Sequence, residues 1–167
     1  DGKGGSGAGS TVIKLPFPSE FGGAFDSSDQ YVQDAIARIK SSMEEGEKPC
    51  AFIGEMISGC GGQIPLAPGY MKALNQFLQE NGILTIADEV QTGFGRLGSW
   101  FWAYEMHEFI PDIVILGKPM ANGHPMGAVV TTSEIAARFS NGMEFFSSFG
   151  GNPVSCVVAS TVLDIIE

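Results

Sequence analysis

The sequence predicts an α/β fold, a mostly parallel sheet flanked by helices. Three observations carry that reading. Four short apolar runs, CAFIGEMI, ILTIAD, DIVILG and GAVVTT, have the length of buried strands. Segments with helical apolar spacing lie among them. Polar or glycine-rich loops close the runs, as in chains that cross from strand to helix and back.

The elements follow in order. DGKGGSGAGS opens the chain as a flexible stretch, so residues 1–12 read as a linker or an upstream remnant and 13–167 as the body. STVIKLPFPSEFGGAF is interrupted by proline and glycine and reads as loop and edge. From Ser28 to about Glu45, Val32, Ala35, Ile36, Ile39 and Met43 recur at helical spacing. Cys50 to Ile57 is the first strand candidate, and the loop SGCGGQIPLA follows it. Pro68 can open the next helix and Gly82 can end it, with Tyr70, Met71, Leu74, Phe77 and Leu78 as one stripe. Ile83–Asp88, Asp112–Gly117 and Gly127–Thr132 are three further strands. Ser133 is a candidate cap for the helix EIAARF, EFFSS a candidate fifth strand, and Pro153 the start of a last helix.

Composition narrows the function. The 167 residues carry a net charge of −10, against a general nucleic-acid binder, which needs clustered basic residues. Cys50, Cys60 and Cys156 are widely spaced and odd in number, against a disulfide framework or zinc site, and are expected as small buried thiols. No apolar run approaches the roughly 18 residues of a membrane span. A cytoplasmic location is the expectation, with no membrane and no nucleic-acid partner. His107 and His124 are far apart and read as surface or loop histidines, so no metal site is expected. Trp100, Phe101, Trp102 and Tyr104 form an aromatic group expected in a core or an interface.

In parallel sheets, ligands sit beyond the carboxyl ends of the strands. Asp88 closes ILTIAD and Lys118 follows DIVILG, thirty residues later. If those strands are neighbours, a carboxylate and an amine enter one crevice. An aspartate there also serves as a turn former, and a lysine there is commonly solvated. The apolar run before Lys118 and Pro119 after it favour a low-dielectric setting, in which a lysine loses charge and becomes a nucleophile. Pyridoxal phosphate chemistry needs such a lysine and an acid for the pyridinium nitrogen. Gly93, Gly95 and Gly98 spell a literal G-x-G-x-x-G, but they begin five residues beyond Asp88, and Asp112 lies fourteen beyond Gly98 where the fingerprint needs an acid about 20 on. A dinucleotide site is therefore disfavoured. Gly117-Lys118 is followed by proline, so it is not a phosphate-binding Walker sequence.

IADEVQTGFGRLG, PDIVILGKPMANGHPMGAVV and SSFGGNPVSC, in this order and spacing, resemble the class III (ω-amino acid) aminotransferases. These are fold-type I pyridoxal 5'-phosphate enzymes. The resemblance implies that Lys118 forms the Schiff base with the cofactor and shuttles the proton. It implies that Asp88 pairs with the ring nitrogen, Val90 packs on the ring face and Gln91 lies near the phenolic oxygen. Ser148 matches a hydroxyl that reaches the cofactor phosphate of a neighbouring subunit in a homodimer, and Glu55 matches an acid near the cofactor. The partners implied are a small amine or amino acid and a keto acid. Cys60 stands where many members carry a second acid. With the G-H-P variant, this is similar to the branch of alanine–glyoxylate aminotransferase-like proteins and phospho-lyases, the latter eliminating phosphate instead of exchanging an amine. Family members are longer, with an upstream phosphate-cupping turn and a C-terminal small domain. The chain is thus expected to be the central part of the large domain, inactive alone.

Overall fold

The computed structural model describes residues 7–166. The N-terminal half of the linker-like stretch lies outside the described residues, and residues 7–27 are irregular. Helix α1 (Ser28–Glu44) begins at Ser27, whose side chain accepts from the Gln30 amide, the usual way to satisfy a free N–H at a helix start. Tyr31, Ala35 and Ile39 form its buried stripe. Helix α2 (Tyr70–Glu80) buries Tyr70, Met71, Leu74 and Leu78. It starts after Gly69 at φ 77°, so Pro68 precedes the cap instead of opening the first turn.

Four strands make the main sheet: β1 (Ala51–Glu55), β4 (Leu84–Asp88), β5 (Ile113–Leu116) and β6 (Ala128–Thr131), in that spatial order. β1 pairs parallel with β4, and β4 parallel with β5, while β6 is antiparallel to β5 at the edge. Most of the sheet is parallel, as expected. Asp112 fastens the entry of β5 to β4: its Oδ2 accepts from the Thr85 amide at 2.7 Å and the Thr85 hydroxyl at 3.0 Å.

The first apolar run divides where a single strand is predicted. β1 stops at Glu55, and Ile57–Ser58 (β2) forms a small antiparallel pair with Ile64–Pro65 (β3). The break is made by polar groups: the Glu55 carboxylate accepts from the Gly59 amide at 2.6 Å, and the Met56 carbonyl accepts from the Leu66 amide at 3.2 Å.

The remaining elements are the short helix α3 (Ala103–Met106), a one-turn 3-10 helix (Lys118–Ala121), α4 (Ser133–Phe139) and α5 (Pro153–Ile166). Thr132, not Ser133, caps α4, its hydroxyl accepting from the Ile135 amide. EFFSS forms no strand: it lies exposed between α4 and α5 and pairs with no edge.

The core lies on one side of the sheet, where α1 and α2 pack over Ala87, Met56 and Ile83. A second cluster joins Leu116, Met120 and Ala121 to Phe94, Trp102 and Val158. The other sheet face carries Ile53, Leu84 and Val129, which are 58%, 37% and 65% exposed.

Two expectations about side chains are corrected. All three cysteines are exposed: Cys50 precedes β1, Cys60 lies in the β2–β3 loop and Cys156 is on the outer side of α5. His107 is buried, its ring nitrogen Nε2 meeting the Met56 carbonyl at 3.1 Å across the core edge. His124 lies in a loop, as expected, half-buried and bonded to Ser155. Trp102 does take the core role expected of the aromatic group, meeting Phe94 and Phe101 edge-on. Among the described residues no helix is long and apolar enough to cross a membrane.

Candidate active site

Asp88 ends β4 and stands beside Ile115 of β5 on one side and Glu55 of β1 on the other. Lys118 follows β5 by two residues, after Gly117. Adjacent parallel strands therefore deliver both groups to one edge of the sheet, the place where α/β sheets hold ligands. The chain turns sharply there because the Asp88 Oδ1 accepts from the Val90 amide at 3.0 Å. This turn returns Gln91 toward β5, where its Oε1 accepts from the Lys118 Nζ at 2.5 Å.

Glycine permits the close packing around these groups. A Cβ built on Gly117 would lie 3.2 Å from Cγ1 of Val90, so Val90 rests against the backbone just before Lys118. A Cβ on Gly59 would lie 3.2 Å from Gln91 Cγ and 3.3 Å from Glu55 Oε2. The Glu55 carboxylate is thus close to Gln91, but its Oε2 is engaged by the Gly59 amide. Ser148 stays apart: it is exposed in the segment before α5 and does not line the cleft described below.

A cleft of about 810 Å³ opens beside Lys118, lined by Phe94, Arg96, Asn122, His124 and Met126 and by the end of α5. Lys118 is exposed at its mouth. The low-dielectric setting expected for the amine is therefore not built by the described residues, of which Gln91 is its hydrogen-bond partner. Arg38 and Arg138 each bond an acid one helical turn away, at 2.7 and 3.5 Å, whereas Arg96 lines the cleft.

One carboxylate went unnoticed in the sequence. Glu89 is 0% exposed, accepting from the Thr92 hydroxyl at 2.5 Å and the Tyr104 amide at 2.9 Å. It fastens the GFGRLG loop to the start of α3. Strand alternation was the available signal: the residue after Asp88 must face the opposite side of the sheet, toward the core. Gly93 of this loop serves packing, since a Cβ there would lie 2.8 Å from the Trp102 indole, whereas Gly95 and Gly98 sit at φ 71° and 79°, the left-handed region that favours glycine.

The donor set can be tested against pyridoxal phosphate. A primary amine, a carboxylate with one oxygen engaged, an apolar side chain and an amide converge on one sheet edge. The amine suits the cofactor aldehyde, the carboxylate the ring nitrogen, Val90 a ring face and the Gln91 amide a phenolic oxygen. The residues present fit the group.

The comparisons with known proteins agree with this chemistry. The family model described as aminotransferase class-III matches residues 5–167. The chain is 44% identical over 165 residues to an alanine–glyoxylate aminotransferase 2-like protein of Drosophila melanogaster, covering 93% of this chain and 33% of that protein. It is 40% identical over 141 residues to the human mitochondrial alanine–glyoxylate aminotransferase 2, covering 84% of this chain and 27% of the relative. A solved phospholyase from Arthrobacter in complex with phosphoethanolamine superimposes with a TM-score of 0.85 at 38% identity, covering 95% of this chain and 38% of the other. The chain spans about a third of the length of the curated relatives it matches. The motifs, the sheet and the strand-end residues together establish that this chain belongs to the class III aminotransferase family, whose cofactor is pyridoxal phosphate.

Proposed function

We propose that the chain is the central part of the large domain of a transaminase that moves an amino group between an amine or amino acid and a keto acid. The observation that carries this is the placement of Asp88 and Lys118 at the carboxyl ends of neighbouring parallel strands, with Gln91 bonded to the amine. Pyridoxal phosphate, when bound, supplies a reactive aldehyde and a ring that accepts electrons from the bond being broken. Lys118 offers the amine and carries the proton at Nζ. Asp88 holds a proton on the ring nitrogen through its carboxylate, which the Val90 amide fixes in place. Val90 excludes water from one ring face, and Gln91 orients both Nζ and the phenolic oxygen. Glu55 braces the loop beside Gln91 through the Gly59 amide, and Ser148 serves a neighbouring subunit's cofactor phosphate in a homodimer. Turnover requires segments beyond these 167 residues, a reading supported by the third of each relative that the chain spans.

A second reading has a specific observation in its favour. The neighbour with a TM-score of 0.85 is a phospholyase in complex with phosphoethanolamine, and Cys60 occupies the acid position of many ω-aminotransferases. The two reactions differ in whether the substrate loses its amine to a keto acid or loses phosphate. The longer protein carrying this chain should be assayed both ways. Amine transfer that depends on the keto acid and vanishes in Lys118→Ala supports the first reading. Phosphate release from phosphoethanolamine without a keto acid replaces it with the second.

A further inference from the structure

Lys118 stands on a backbone turn that its neighbours must hold in place. Its φ is +31°, and Asn122 and Gly123 follow at +47° and +96°. Two non-glycine residues in the left-handed region within five positions persist only where the surroundings fix them. The backbone bonds of this turn are local: Met120 N to Gly117 O, Asn122 N to Pro119 O and His124 N to Ala121 O. Met120 and Ala121 are buried, with Val158 of α5 packed against them. Among the described residues, apart from the Lys118 amine, the polar side-chain tie between this turn and another element is His124 Nε2 to the Ser155 hydroxyl, at 2.7 Å.

Ser155 is buried near the start of α5 and is itself fixed. The Asn152 Nδ2 donates to its Oγ at 2.9 Å, and its own amide donates to the Asn152 Oδ1 at 2.9 Å. The Asn152 donation takes one acceptor site of Oγ and leaves its proton and its second lone pair to meet His124 Nε2.

We propose that His124 is a positioning residue for the Lys118 amine: its hydrogen bond to the Ser155 hydroxyl pins the lysine turn to α5. The consequence for catalysis rests on the reading of Lys118 given above, but the structural claim does not.

The test compares wild type with His124→Ala, Ser155→Ala and His124→Gln, whose amide oxygen can accept the same hydrogen bond. Amide hydrogen exchange is measured without cofactor across residues 118–124, with α1 and α2 as internal references. In the two alanine variants, protection in the turn should fall about fivefold to tenfold, the scale of one side-chain hydrogen bond. The references should not change, and the glutamine variant should recover most of the loss. Cofactor capture by Lys118, followed by absorbance, should slow in the alanine variants and recover with glutamine. Unchanged protection in His124→Ala, or a loss that His124→Gln does not recover, would overturn the proposal. If His124→Ala fails to fold, Ser155→Ala decides: unchanged protection in the turn refutes the proposal, and the fivefold to tenfold loss supports it. A protein that never captures cofactor on Lys118 would instead refute the functional reading and leave the exchange result standing.

Discussion

Asp88 and Glu89 are consecutive carboxylates with opposite tasks, because strand alternation sends one toward the open sheet edge and one into the interior. Asp88 retains an exposed side for a ligand, while Glu89 spends both oxygens on Thr92 and Tyr104. Replacing Asp88 with Asn in the full-length enzyme should lower turnover by about 10²–10³-fold, the range for losing one well-placed electrostatic partner. Its thermal midpoint should hardly move, and steady-state kinetics beside calorimetry separates the two effects. His107 makes a different prediction. Burial pushes its imidazole below the ordinary value, and the bond to the Met56 carbonyl opposes this only in part. The folded state therefore binds fewer protons than the unfolded chain. This contribution to stability is complete above the unfolded value of about 6.5 and is lost as pH falls through the lower folded value. Thermal midpoints should fall from pH 7 toward pH 5, and His107→Gln should flatten that slope.

At the level of elements, Gly93 shows how the loop after β4 is built. Its missing side chain admits the Trp102 indole, and the backbone carbonyl of Glu89 would lie 3.2 Å from an added Cβ. Gly93→Ala should destabilise the fold by about 1–3 kcal/mol, measurable by denaturant unfolding, because the crowded atoms include backbone. Helices α1, α2, α4 and α5 and the two inner strands, β4 and β5, were legible because their apolar spacing is regular, whereas the short helix α3 was read only as an aromatic segment. α1 matches to within a residue and β4 lacks only Ile83 of the predicted run. Elements decided by particular polar groups were not legible. The cap of α4 falls on Thr132, and β1 ends where Glu55 turns back to its own loop. EFFSS has strand composition but pairs with neither sheet, so propensity alone misleads. The site was legible in type and order, through Asp88 and Lys118. The tie between His124 and Ser155 was not, since it joins residues thirty-one apart that no motif relates by spacing.

Over the whole molecule, one face of the sheet is packed and the other is open. Ile53, Leu84 and Val129 form part of an apolar surface on the open face, and Phe145, Phe146 and Phe149 add exposed rings beside α5. Exposed apolar area of this kind binds hydrophobic dyes and promotes association. The isolated 167 residues should therefore bind an anilinonaphthalene dye strongly and self-associate, as light scattering would report. Those signals should fall sharply in the longer protein if its further segments cover this face.

The central claim is that Lys118 and Asp88 form one cofactor crevice at the ends of β4 and β5. The longer protein should be incubated with pyridoxal phosphate, reduced with borohydride and mapped by peptide mass spectrometry. A pyridoxyl group on Lys118, with no specific labelling in Lys118→Ala, is the predicted result. Labelling of a different lysine, or an equal yield in Lys118→Ala, would contradict the account.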